Sequence, residues 1–187
     1  MSIQSINLTK GQRVDIGLQN AAVGLGWDPN PQDTSDEFDL DASALMLGSD
    51  GKVIDAGFLV YYNSPQSSDG SVMSSGDNRD GEGDGDDETL FANLTAVDPR
   101  VQEIVFVATI YDAAARRQNF GQVRSAFIRI YDQASGEEIC KYELDEDFST
   151  ESAVEFGRLY RKGGSWKFEA IGRGNNGGLE GILAQYT

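Results

Sequence analysis

The chain has 187 residues, 39% of them hydrophobic, which suffices for one globular domain with an ample core and is short for two, so a single domain over residues 1–187 is expected. Against 15 Lys and Arg stand 31 Asp and Glu with no His, and the resulting net charge of -16 argues against nucleic acid or an anionic membrane surface as partner, because both would be repelled. The opening residues Met1 to Gln4 lack the charged start and apolar run of an export signal, and no window is apolar for long enough to span a bilayer, so a cytoplasmic protein without membrane insertion is expected.

Taken in order, Ile6-Asn7-Leu8 and Arg13 to Leu18 alternate apolar with polar residues around the turn-like Thr9 to Gln12, and predict a first antiparallel hairpin. A strand over Val23 to Trp27 follows and stops at Asp28-Pro29-Asn30-Pro31, which opens a polar loop carrying Asp33, Asp36 and Glu37. From Phe38 onward the alternation predicts a strand with Leu40, Ala42 and Ala44 on one face and Asp39 and Asp41 side by side on the other. Ser49-Asp50-Gly51-Lys52 is a hairpin turn, and Val53-Ile54 and Phe58 to Tyr62 continue the sheet. Residues 63–75 are polar and serine-rich, an excursion that is expensive to order without a ligand of its own.

Beyond Asp98-Pro99, which reads as the start of one helical turn, Glu103 to Tyr111 is a β-branched run suited to a central strand. Asp112 is placed to cap a short helix over Ala113 to Arg117, and Val123 to Tyr131 resumes a strand with Ala126, Ile128 and Ile130 on one face. The lone Cys140 lies in the alternating Ile139 to Leu144, reads as a buried strand residue, and has no partner for an intrachain disulfide. Ser149-Thr150-Glu151 and Ser152 with Glu155 look like capping signals for a helix whose apolar stripe is Val154, Phe156, Leu159 and Tyr160. Trp166 to Ile171 is a last strand, and Leu179 to Leu183 is short and helix-compatible. Many antiparallel strands with a few short helices make an all-β fold, a β-sandwich of two antiparallel sheets.

The least core-like stretch is residues 76–88, in which Asp77, Asp80, Glu82, Asp84, Asp86, Asp87 and Glu88 alternate with glycines against one cation, Arg79. Glycines let backbone carbonyls and carboxylates converge on one point, and hard divalent cations want many oxygens, so calcium is the expected ligand. Asp77 and Glu88 have the spacing of an EF-hand loop, but Arg79 and Gly81 stand where oxygen side chains are needed and Glu82 stands where glycine makes the turn. An acidic linker that binds nothing is the competing reading of the run taken alone. With Asp28, Asp39 and Asp41 also near strand ends, the carboxylates exceed what one calcium needs and favour two ions over one, with magnesium less suited.

The blocks Gly24-Leu25-Gly26-Trp27-Asp28, Phe38 to Ala44, Gly76-Asp77-Asn78 with residues 81–88, Asn119-Phe120-Gly121-Gln122-Val123, Phe156 to Arg161 and Trp166-Lys167-Phe168 resemble the TerD-type tellurite-resistance and chemical-stress family of bacteria over nearly the whole chain. The resemblance implies a β-sandwich that binds calcium in its acidic loops and serves in stress resistance with other resistance proteins, in a complex peripheral to the inner membrane through a membrane-bound protein partner. Carried across by position, the implied ligands are Asp28, Asp39, Asp41, Asp77, Asn78, Gly81, Gly83, Asp86, Asp87 and Glu88. The chain departs from the family pattern at Asp80, where a small polar residue is usual, and at Tyr111, where histidine is common.

The alternative reading is a metal-dependent phosphoryl- or glycosyl-transfer enzyme built on Asp39 and Asp41. Its context is poor, because the preceding Pro31 to Glu37 is polar and no alternating βα pattern follows. Without histidine the usual nucleophile-base pairs are missing, so a non-enzymatic calcium-loaded scaffold is the expectation. Direct capture of a metalloid would want several soft thiolates, and there is one cysteine.

Overall fold

The structure, a computed structural model, describes residues 4–31, 36–75, 85–144 and 148–187. The strands, in chain order, are β1 (Ile6–Leu8), β2 (Arg13–Asp15), β3 (Asn20–Gly26), β4 (Leu40–Leu47), β5 (Leu59–Val60), β6 (Val72–Ser74), β7 (Glu88–Asn93), β8 (Glu103–Ile110), β9 (Phe127–Asp132), β10 (Glu138–Glu143), β11 (Ala153–Lys162) and β12 (Ser165–Asn175). Two short helices, α1 (Ala113–Arg116) and α2 (Gly178–Leu183), accompany them. The strands form two six-stranded sheets, one in the order β1-β10-β9-β3-β7-β6 and the other β2-β12-β11-β8-β4-β5. The expected β-sandwich is therefore the observed architecture, with one parallel pairing, β1 on β10, at the edge of the first sheet.

Period-two alternation puts one set of side chains from each sheet into a shared core. Val23 and Leu25 of β3, Leu90 of β7 and Ile128 and Ile130 of β9 meet Leu40, Ala44 and Met46 of β4, Phe106 of β8 and Phe168 of β12. The second sheet is also covered outside, where Leu45, Leu47, Val105, Val107 and Ala153 pack with Ile182 of α2. Burial on both faces is why β4 and β8 read as nearly continuous apolar runs.

Three local expectations are corrected. Residues 6–8 and 13–15 do not form a hairpin: β1 joins β10 in one sheet while β2 joins β12 in the other, and the linker between them is held by Gly11 N–H to Ala170 O at 2.7 Å and Ala170 N–H to Gln12 O at 3.0 Å. The helix expected from residue 149 onward is instead β11, a strand between β8 and β12. Its register shifts between Glu155 and Gly157, so the core-facing set runs Val154, Phe156, then Leu159, and a β-bulge imitates helical spacing. The Gly163-Gly164 pair, at φ 60° and 79°, makes the tight turn that a β11–β12 hairpin demands. Asp112 makes no side-chain cap to α1, because it sits in the left-handed region at φ 52°.

The serine-rich excursion is ordered from within. The Asp69 carboxylate accepts from Ser67 Oγ at 2.6 Å, Ser71 Oγ at 2.8 Å, Ser71 N–H at 3.0 Å and, from across the loop, Asp98 N–H at 2.9 Å. Burial pushes this carboxyl up, but the hydrogen bonds outweigh it and hold the group below the usual carboxylate range.

Candidate metal centre

The end of β3, the start of β4 and the start of β7 lie at one end of the sandwich, and Trp27 ties them together. Its backbone N–H donates to Asp87 Oδ2 at 2.9 Å and its indole N–H to Phe38 O at 3.0 Å, while Asp87 N–H returns to Leu25 O at 2.8 Å. Asp28 follows directly, its N–H bonded to Arg124 O at 2.9 Å, and Asp39 O accepts from Tyr111 N–H at 2.7 Å. The backbone stretches carrying Asp28, Asp39 and Asp87 thus lie together at this end.

The side chains themselves are distributed over different faces. Asp41 shares with Ser43, Leu45 and Leu47 the face of β4 that looks away from the core, and Asp39 precedes it, each 9% exposed. Glu88 alternates in step with Leu90 and Ala92, so it points between the sheets, where it is 5% exposed and its Oε2 accepts from Ala42 N–H at 2.5 Å. That contact joins the first sheet to an edge of β4 that β5 leaves uncovered.

Asp86 goes elsewhere. Gly24 lies on the outer face of β3, and a Cβ there would overlap the Asp86 carboxylate, so the missing side chain makes room for it. Both Asp86 oxygens accept from Arg129, from Nε at 2.7 Å and Nη2 at 2.8 Å. Arg129 also reaches Glu138 at 3.3 Å and stacks 4.3 Å over Tyr131. Hydrogen bonding to Asp86 leads the causes that raise the Arg129 pKa above its ordinary value. Trp27 and Arg129 are the organising residues that reading for ligands missed. Alternation with Ile128 and Ile130 was the available signal for Arg129, since it placed a cation on the outer face beside the acidic loop.

The expected ligands Asp77, Asn78, Gly81 and Gly83 lie outside the described residues. Among the described residues, no three His, Cys, Asp or Glu side chains are gathered so as to hold a metal ion. The chemistry of the donors suits calcium, since Asp28, Asp39, Asp41, Asp87 and Glu88 offer hard oxygens and neither thiolate nor imidazole. A coordination shell would have to be completed from residues 76–84. No helix among the described residues is long and apolar enough to cross a membrane.

A family model, the TerD domain, matches residues 4–186. The chain is 52% identical to a tellurium resistance protein TerD of Serratia marcescens and 48% identical to a general stress protein of Bacillus subtilis (strain 168), in each case over 97% of both chains. The fold superposes on a crystal structure of a homologue of telluride resistance protein from Streptomyces coelicolor A3(2) with a TM-score of 0.69 at 22% identity, covering 88% of this chain and 94% of that one.

Proposed function

From the premise that the chain belongs to the TerD domain family of tellurium-resistance and stress proteins, we propose that it is a calcium-binding stress-response module that acts without catalysis, as a scaffold for other resistance proteins at a membrane-bound partner. The observation that carries this reading is the burial of three carboxylates, Asp39, Asp41 and Glu88, at the strand ends that frame the acidic loop. Buried carboxylates call for polar partners, which hydrogen bonds such as that from Ala42 N–H to Glu88 supply, and a calcium ion, which takes many hard oxygens at once, would use these carboxylates together with oxygens from residues 76–84.

Two ions are proposed, drawing on Asp28, Asp39, Asp41, Asp87 and Glu88 together with Asp77, Asn78, Gly81 and Gly83. Asp86 would join them only by leaving Arg129. The transfer-enzyme alternative gains no support, since β4 runs antiparallel to both neighbours and does not present Asp39 and Asp41 at the end of a parallel strand. Calorimetric titration with calcium, with magnesium and with sodium chloride at matched ionic strength tests the proposal. Saturable calcium binding that Asp41→Asn and Asp87→Asn weaken is expected; heats no different from those of sodium chloride would refute it.

A further inference from the structure

Where the arginines of this acidic chain go is uneven. Among the described residues, Arg13, Arg100, Arg129, Arg158 and Arg173 are ion-paired with carboxylates, and Arg161 donates to the carbonyls of Val97 and Val101. The three that remain, Arg116, Arg117 and Arg124, line one cavity of about 410 Å³ together with Asn30, Phe38 and Gln118. Among the described residues none of the three forms an ion pair with a carboxylate, although carboxylates outnumber cations about two to one in the chain. Arg117 and Arg124 are exposed and Arg116 is half-buried, so the cavity has a cationic lining that an anion from solvent can reach.

The walls are held in place. Arg116 Nη1 donates to Glu37 O at 3.3 Å and its guanidinium lies 5.4 Å from the Tyr111 ring centre, while Gln118 Nε2 donates to Asp36 O at 2.7 Å and fixes the facing rim. The non-glycine residues with positive φ in the described chain are Asp112, Arg117 and Ser125, at 52°, 54° and 55°, and all three fall in the segment that carries these arginines. Arg117 takes the left-handed conformation as the C-cap of α1, its N–H returning to the carbonyls of Ala113 and Ala114, and so turns the chain from the helix toward Gln118.

We propose that this cavity is an oxyanion-binding site that takes a phosphate-class anion, free or as the head of a small molecule, held by Arg117 and Arg124 with Arg116 in the same lining. Arginine presents paired donors that match two oxygens of such an anion, and the cavity has the volume of a small-molecule pocket. The ligand is recognised by charge and by its oxygens, so inorganic phosphate and a metalloid oxyanion share the required chemistry. The site stands on its arginines and does not depend on calcium being bound at the acidic loop.

The test follows the Arg Nε–Hε resonances of the full chain by NMR during titration with sodium phosphate, with potassium tellurite, and with sodium chloride at matched ionic strength. Saturable shifts at Arg117 and Arg124 with an oxyanion and not with chloride are expected. Arg117→Asn, chosen because asparagine accepts the left-handed backbone, and Arg124→Gln should each raise the dissociation constant about tenfold or more, with Arg124→Lys recovering part of the loss. Tighter binding of tellurite would identify a metalloid oxyanion as the ligand, and tighter binding of phosphate a phosphoryl group. Equal shifts with chloride, or phosphate binding unchanged in Arg117→Asn and Arg124→Gln, would overturn the site.

Discussion

Gly24→Ala is the sharpest probe of how the acidic segment is anchored. The added methyl would occupy the space of the Asp86 carboxylate, so Asp86 must move, and a shift of about 1 Å stretches its 2.7 and 2.8 Å bonds to Arg129 beyond hydrogen-bonding range. The pair is mostly withdrawn from water, with side chains 8% and 27% exposed, so its loss lies between the few tenths typical of a surface pair and the ~3–5 kcal/mol of a buried one. Replacing a strand glycine recovers about 0.5–1 kcal/mol of backbone entropy, which leaves a net cost of about 2 kcal/mol. For a chain of this length that is a fall of about 4–8 °C in Tm. The assay is thermal or urea unfolding in chelator, for wild type, Gly24→Ala, Asp86→Ala and the double variant. Because Asp86→Ala removes the obstacle, the double variant should be more stable than the two single effects combined would make it, by more than about 1 kcal/mol. Simple additivity would mean that the carboxylate does not sit over Gly24, and the account of Arg129 as its anchor would fail.

Further outcomes follow from two groups away from that anchor. Asp69→Asn should cost about 1–2 kcal/mol through lost charge-assisted hydrogen bonds and make residues 63–75 protease-sensitive; an unchanged urea midpoint and cleavage pattern would contradict it. Because the folded Asp69 carboxyl lies below its ordinary value, this contribution is present above the unfolded carboxylate range and is lost as pH falls through the folded pKa, which acid titration of wild type against Asp69→Asn reads directly. Burial pushes the Cys140 thiol up to about 12, so native protein should resist alkylation at mildly alkaline pH while denatured protein reacts, as mass spectrometry would show. The unfolded thiol ionises first as pH rises, so stability should decline between the unfolded thiol range and about 12, and a Cys140→Ser variant should lack that component.

The sandwich was legible because alternation is strict wherever one face is buried, as along Leu90 and Ala92 or Ile128 and Ile130. It failed at β11, where a bulge moved the buried set from even to odd positions and produced spacings of two and three that resemble a helix stripe. It failed again at residues 6–15, since partners drawn from residues 140 and 167 leave no local trace in a turn-like linker. At the site, the acidic residues announced themselves by number and spacing. What composition could not reveal is that Asp86 is drawn onto an outer face by Arg129, or that an N–H of Trp27 holds Asp87, because both depend on pairings between distant strands. The arginine cavity was hidden for a related reason: Arg116, Arg117 and Arg124 are unremarkable in a row of letters, and become notable once every other described arginine has been given its partner.

The division of residues 6–15 between the two sheets has a consequence for how the chain comes to be folded. During synthesis β1 and β2 leave the ribosome early, yet their partners β10 and β12 are made last. Neither sheet can be closed at that edge until nearly the whole chain is available, and contacts so distant in sequence are slow to form. For that interval the newborn protein carries two open strand edges, the kind of surface on which neighbouring chains pair. One short segment, residues 6–15, then supplies the outermost strand of both sheets, β1 on β10 and β2 on β12.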